Sequence, residues 1–108
     1  MLSATKILKT SRKKCMLYKI ITSKRYEKDV SLAKKRGLNI KDLVDVVDKL
    51  QKGEKLPAKN RDHQLHGDLE GTRECHVHPD WLLIYSKEDS LRLLSLLRTG
   101  THSDLYGK

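Results

Sequence analysis

The sequence lacks features that would assign it to a membrane, secreted or cysteine-rich class. No apolar run approaches the roughly 20 residues of a membrane span, so no membrane association is expected. The first fifteen residues lack the apolar segment of a secretory signal. Cys15 and Cys75 are the only cysteines, and they match no CxxC pattern. We therefore expect free thiols in a reducing compartment, which favours a cytoplasmic location.

Acidic residues are absent from positions 1–15, which carry five basic residues and hence +5. The whole chain carries +9, so +4 remains for residues 16–108. We expect residues 1–15 to be a flexible basic leader and residues 16–108 to form one domain, and one hypothesis is that Met16 is the natural start. A moderately basic domain suits an anionic partner, although +4 also fits plain solubility.

Apolar periodicity predicts two helices in the first half of the chain. The first covers residues 24–36, after a cap at Thr22-Ser23, and the second covers residues 40–50 after a cap at Asn39. Gly37 and Gly53 follow their ends, where glycine is favoured. The stripes expected to face the core are Tyr26, Val30 and Ala33, then Ile40, Leu43, Val44, Val47 and Leu50.

Alternation over residues 72–78, followed by the apolar segments 81–87 and 91–100, predicts three strands of an antiparallel meander in the second half. A long polar connection over residues 54–71 precedes it, and the tail is expected to form a short helical turn capped by Ser103 or Asp104. The fold class is therefore α+β, with two N-terminal helices packed on a small antiparallel β-sheet. The last strand is apolar on both faces, so its second face either meets a partner chain or stays a partly buried edge.

Five histidines are present, and four of them lie in the short segments RDHQLHG and RECHVHPDW. If the meander pairs in sequence, the strand ends and the preceding loop converge near one edge of the sheet. That convergence would gather a polar cluster in one cleft: His63, His76, Asp80, Trp81, Arg98 and His102.

Three kinds of chemistry compete for this cluster. His76, His78 and Asp80 could bind zinc, but Pro79 interrupts the strand and no HExxH pattern is present, so we expect neither metal nor cofactor. In the second interpretation, which is purely structural, the histidines are hydrogen-bonded surface groups and Trp81 is a core residue. We favour this interpretation for His66 and His78.

The third kind is phosphodiester cleavage. Histidine can transfer protons near neutral pH, arginine binds phosphate as a forked donor, and exposed aromatics such as Trp81 or Tyr106 can stack on an unpaired base. Composition alone does not decide among the three.

The motifs DHQLHG, RECHVHPDWLLIY and RTGTHSDLYG, in this order, resemble those of the YafQ-type toxins of bacterial type II toxin–antitoxin systems, within the RelE/ParE superfamily. The resemblance covers residues 18–107. It implies two helices on a small antiparallel sheet, ribosome-dependent mRNA cleavage in the A site, translation inhibition, and neutralisation by a cognate antitoxin. It also implies that the toxin–antitoxin complex binds operator DNA.

The resemblance also implies roles for single residues. His63, His76, Asp80 and His102 match the catalytic positions of the family, and they would cleave RNA without metal through the 2′-hydroxyl. The substrate-binding positions that match are Trp81 in the active-site wall, Arg98 for phosphate, and Tyr106, where close relatives often have phenylalanine. His66 and His78 have no secure counterpart. The alternatives are a ParE-like binding module without nuclease activity and a DNA-binding operon co-repressor.

Overall fold

The structure, a computed structural model, describes residues 17–107. The predicted leader over residues 1–15 and the proposed start at Met16 lie outside the described residues. The helices and strands are β1 (Lys19–Thr22), α1 (Lys24–Lys35), α2 (Ile40–Gln51), β2 (His63–Gln64), β3 (Arg73–His78), β4 (Trp81–Glu88), β5 (Leu93–Gly100) and α3 (His102–Tyr106), with 3₁₀ turns at Ala58–Asn60 and Gly67–Leu69.

The α+β class is confirmed, with two helices and a five-stranded sheet in the order β1-β5-β4-β3-β2. Strands β3 to β5 pair antiparallel as the meander predicts. The two-residue strand β2, within the segment predicted as a polar connection, adds an antiparallel pairing with β3. Strand β1 adds a parallel pairing with β5, from Lys19 opposite Leu93 to Thr22 opposite Leu96. Local periodicity could not predict that β1 pairs with β5, because 70 residues of chain separate the two strands.

The helix ends follow the predicted capping chemistry. The Ser23 hydroxyl accepts a hydrogen bond from the Tyr26 N–H, and the Asn39 side chain accepts one from the Lys41 N–H. The predicted stripe of α2 is wrong at one position, because Val44 is 55% exposed and Val46 is buried. The buried residues are Leu43, Val46, Val47 and Leu50, spaced i, i+3, i+4 and i+7 as one helical face requires.

The two faces of the sheet differ in what covers them. Trp81, Leu83 and Tyr85 of β4 belong to the main core, together with buried side chains of both long helices. Leu82 and Ile84 alternate with them, so they face the other side, and they are 0% and 4% exposed. The short helix α3 packs against β5. A helix of the chain itself therefore covers part of the second face, which the sequence analysis left to a partner chain or to a partly buried edge.

Helix α3 begins differently from the prediction. Its cap is Thr101, not Ser103 or Asp104. The Thr101 side chain accepts from the Asp104 N–H, and the Asp104 carboxylate accepts from the Thr101 N–H at 3.0 Å, which makes a capping box. None of the helices within residues 17–107 has the length and apolarity to cross a membrane.

Candidate active site

The sheet register places Glu74 and His76 of β3 on the face opposite the two long helices. His76 lies opposite Leu82, which lies opposite Gly100, and Glu74 lies one row away, opposite Ile84. Because partners across a sheet share a face, His76 and Glu74 lie on the Leu82 side. The start of α3 follows directly from Gly100, so His102 arrives beside this row.

Asp80 and His102 form a hydrogen-bonded pair at the open edge of this face. The Nδ1 atom of His102 lies 2.8 Å from Oδ1 of Asp80, and the backbone N–H of His102 donates to the same oxygen at 3.2 Å. The hydrogen bond from the His102 side chain lowers the pKa of Asp80, with the backbone bond second. A carboxylate can only accept, so Nδ1 carries the hydrogen and Nε2 is left to exchange a proton.

His63 and His76 are held in the same way by backbone carbonyls. Nδ1 of His63 donates to the Arg61 carbonyl at 2.6 Å, and Nδ1 of His76 donates to the Pro79 carbonyl at 3.2 Å. Both Nε2 atoms then face one oxygen, Oε1 of Glu74, at 3.7 and 3.8 Å. All three imidazoles of the site therefore have an anchored Nδ1 and an available Nε2.

Glu74 is a candidate site residue that sequence reasoning missed. It is 6% exposed, and its second oxygen accepts a hydrogen bond from the Tyr106 hydroxyl. The alternation of β3 put Glu74 on the same face as His76, but a polar position in an alternating strand normally indicates solvent. The covering helix α3, which carries Tyr106, is what buries this carboxylate.

Tyr106 of α3 lies beside His102 and contacts Glu74. Its ring centroid lies 6.3 Å from that of His102, and the His102 and His76 centroids are 6.1 Å apart. Burial, followed by the hydrogen bond to Glu74, raises the pKa of Tyr106, so its hydroxyl stays neutral and remains a donor. The structure thus brings together five predicted site residues: His63, His76, Asp80, His102 and Tyr106.

Trp81 does not lie on the open face. It is 2% exposed within the core, and its Nε1–H donates to the Thr99 hydroxyl at 2.9 Å. The expectation that Trp81 stacks on a base needs correction, because no face of a buried indole is free to meet one. The alternative that Trp81 is a core residue describes its place in the structure.

Arg98 lies on the site side of the sheet, opposite Ile84, but its charge is already paired. Its Nε and Nη2 donate to the Asp29 carboxylate of α1 at 2.8 and 3.3 Å. Binding of a phosphate by Arg98 stays a prediction, and it would require exchange of this ion pair.

His78 does not join the other imidazoles, because its contacts are with a helix residue and with the core tryptophan. Its Nε2 lies 2.7 Å from Oδ2 of Asp42 on α2, and its ring stacks on Trp81 with centroids 5.7 Å apart. A register irregularity between His76 and His78 turns the second ring toward the helices. His66 is exposed, with Nδ1 4.0 Å from Glu70.

The remaining sequence expectations concern metal and thiol chemistry. Within residues 17–107, no group of three His, Cys, Asp or Glu side chains could hold a metal ion, and metal-free chemistry stays a prediction. Cys75 is a free, fully buried thiol whose pKa burial raises to about 12, so it is neutral. Cys15 lies outside the described residues.

Comparison with known proteins gives one consistent result. Residues 18–107 match the family described as the bacterial toxin of type II toxin–antitoxin system, YafQ. The mRNA interferase toxin YafQ of Escherichia coli K12 is 44% identical over 86 residues, covering 79% of this chain and 91% of the relative.

Solved structures agree. YafQ in the crystal structure of the E. coli DinJ-YafQ toxin–antitoxin complex superposes with a TM-score of 0.78 at 42% identity, over 84% of this chain and 99% of that one. A metal-bound toxin from Helicobacter pylori gives 0.77 at 41% identity, over 83% of this chain and 99% of that one. The chain therefore belongs to the YafQ family of bacterial type II toxin–antitoxin toxins, as its motifs indicate.

Proposed function

We propose that this chain is an mRNA interferase that cleaves mRNA in the ribosomal A site and so inhibits translation. The observation that carries the proposal is a set of three imidazoles whose Nδ1 atoms are anchored, with Nε2 of His63 and His76 facing Glu74 and the His102 ring centroid 6.1 Å from that of His76. The E. coli relative at 44% identity, named an mRNA interferase toxin, supports the same activity.

The reaction we propose is metal-independent transesterification. The 2′-oxygen of one nucleotide attacks the adjacent phosphorus while its proton passes to an imidazole Nε2. The bond from phosphorus to the 5′-oxygen breaks, and a protonated imidazole supplies the proton that the leaving oxygen needs. The products are a 2′,3′-cyclic phosphate, which water can open to a 3′-phosphate, and a 5′-hydroxyl.

We assign the base role to His102, because the Asp80 carboxylate at 2.8 Å stabilises the imidazolium formed when Nε2 takes the proton. The acid role falls to His63 or His76, since the Glu74 carboxylate near both Nε2 atoms attracts the positive charge of a protonated ring. Tyr106 would contact the unpaired base, a role supported by its 38% exposure beside His102. The ribosome aligns the substrate, which accounts for a large part of the rate.

The partners follow from the same proposal. DinJ binds the E. coli YafQ in a solved complex, and we propose a cognate antitoxin that masks this chain similarly. The complex of the two would bind operator DNA, and the place of action would be the cytoplasm. The ParE-like binding module and the lone co-repressor are less favoured, because neither activity has a use for imidazoles held with free Nε2 atoms.

A cleavage assay on translating ribosomes tests the proposal. Wild-type protein should cut ribosome-bound mRNA and leave a 5′-hydroxyl end, and His102→Ala should be slower by roughly 10²–10⁴-fold. His66→Ala is the matched control, because His66 is exposed and its side chain lies against Glu70 and not against Asp80 or Glu74. Circular dichroism checks that both variants keep the fold.

Two results would overturn the proposal: wild-type protein that leaves ribosome-bound mRNA intact, or His102→Ala that cuts as fast as wild type. A zinc-selective chelator, with the Mg²⁺ that ribosomes require held constant, should not change the rate. Inhibition by that chelator that zinc reverses would replace the metal-independent mechanism.

A further inference from the structure

The site described so far has little free positive charge for an RNA backbone. Asp80 and Glu74 bring two carboxylates, and the guanidinium of Arg98 is held by Asp29 at 2.8 Å. Arg73 is likewise paired with Asp62 at 3.1 Å. A phosphodiester chain crossing this face therefore needs cations from another part of the fold.

A cavity of about 320 Å³ opens directly beside His76, and its walls supply such cations. It is lined by Lys59, Arg61, His76 and Pro79. Both Lys59 and Arg61 are exposed, and neither side chain has a hydrogen-bond or ion-pair partner within residues 17–107. The two cations are thus unneutralised and adjoin a catalytic imidazole.

The backbone that carries these cations is fixed to the catalytic histidines at two points. Asn60, buried at 5% exposure in the 3₁₀ turn, donates from Nδ2 to the His76 carbonyl at 2.6 Å. Arg61 adopts a left-handed conformation with φ 46°, and its carbonyl accepts from Nδ1 of His63. Non-glycine residues rarely adopt this conformation, and such exceptions concentrate at functional sites.

We propose that Lys59 and Arg61 form a phosphate subsite that binds the mRNA phosphate next to the scissile one. The inference rests on the proposed function and adds the residues that hold the substrate strand. Lysine acts there as a point charge and arginine as a forked donor to two phosphate oxygens. The scissile phosphate lies among the Nε2 atoms, and its neighbour enters the cavity beside His76.

The test compares three variants on ribosomes programmed with the same mRNA. Lys59→Gln/Arg61→Gln should raise the concentration for half-maximal cleavage roughly tenfold or more, because it removes charge-assisted bonds, while the rate at saturation stays near wild type. Arg61→Lys should recover part of the loss. Lys24→Gln/Arg25→Gln, which removes one exposed lysine and one exposed arginine from the start of α1, is the control.

A second measurement identifies the phosphate itself. Neutral methylphosphonate linkages are placed one at a time on either side of the scissile bond. The linkage that fills the subsite should weaken cleavage by wild type and should have little further effect on the double Lys59/Arg61 variant. Binding to an uncleavable mRNA with a 2′-deoxy scissile nucleotide should weaken in parallel.

The outcomes separate the two proposals. Wild type that cuts mRNA, together with a double variant that behaves like wild type or like the Lys24/Arg25 control, would overturn the subsite and leave the nuclease intact. Wild type that cuts nothing would overturn the nuclease, and the subsite with it. Equal methylphosphonate sensitivity in wild type and double variant would also reject the subsite.

Discussion

Arg36 and Asp104 join the end of α1 to the helix that carries His102. The guanidinium donates to both carboxylate oxygens, at 2.6 and 3.1 Å, across 68 positions of sequence. The same carboxylate caps α3 through the Thr101 N–H. The position of His102 and Tyr106 over the sheet therefore depends on an ion pair that lies outside the catalytic cluster.

Arg36→Gln should loosen α3 and lower cleavage while leaving the rest of the fold intact. The Arg36 hydrogen bonds, with the Thr101 N–H next, hold the pKa of Asp104 below its usual range. The stabilisation is therefore fully present above the ordinary aspartate pKa of about 4 and is lost as pH falls through the lowered value. Thermal unfolding of wild type and variant from pH 8 to strong acid checks this, with a constant difference expected down to about pH 4. A difference that grows toward acid would contradict the ion pair.

Asp80→Asn should slow cleavage by roughly 10²–10⁴-fold if the pair with His102 serves proton transfer. The amide oxygen can still accept from Nδ1, so the ring stays oriented and only the charge is lost. Because the pKa of Asp80 is lowered, the wild-type carboxylate is ionised throughout pH 6–9, so the loss of rate in that range reports the missing charge and not protonation of Asp80. Single-turnover cleavage at several pH values measures it, and an unchanged rate would remove Asp80 from the mechanism.

Glu74→Gln should reduce the saturating rate by up to about 10²-fold, because the buried carboxylate orients three site residues at once. The substrate concentration for half-maximal cleavage should change little, since Glu74 is too buried to touch the strand. Glu70→Gln, at an exposed position near His66, is the control. A weaker affinity with an unchanged saturating rate would show that Glu74 acts on binding instead.

Trp81→Phe should destabilise the protein by about 1–3 kcal/mol, through lost core volume and the lost hydrogen bond to Thr99. It should leave the cleavage rate of the folded protein within about twofold, because its indole faces the core rather than the substrate. Urea unfolding and ribosome cleavage measured on one preparation distinguish the two effects. A large rate loss without a stability loss would restore Trp81 as a substrate contact.

Gly100→Ala should impair activity, because the added methyl group has no room. A Cβ at this position would lie 2.9 Å from Cβ and 3.0 Å from Oδ2 of Asp104. Since Asp104 is held by Arg36 and Thr101, α3 must shift to make room, and His102 moves with it. We expect cleavage to fall by about 10²-fold for a displacement near 1 Å. Near-ultraviolet circular dichroism and the cleavage rate test it, and full activity would show that α3 can move freely.

The helices and strands that depend on nearby residues could be predicted from the sequence. Both long helices were predictable because Ser23 and Asn39 cap them and apolar residues repeat at helical spacing. The first meander strand was predictable from alternation and the other two from their apolar runs, and the gathering of His63, His76, Asp80 and His102 followed from their order along the meander. These features depend on neighbours in sequence or on strands that pair in order.

The rest depends on contacts between distant residues, which a single sequence does not reveal. Arg98 matched a phosphate-binding position, but its guanidinium forms an ion pair with Asp29, which lies 69 positions away in sequence. The alternation of β3 does not reveal that Glu74 is buried, because the residue that covers it, Tyr106, is distant in sequence. Trp81 was predicted both as a substrate contact and as a core residue, and only the sheet register at the end of β3 decides its face.

The irregularity between His76 and His78 lets one short strand present its two imidazoles to opposite sides of the sheet. In a regular strand, residues two apart share a face, and both rings would then crowd the same carboxylate. The irregularity therefore separates the imidazole that packs on tryptophan from the imidazole that is proposed to act on RNA.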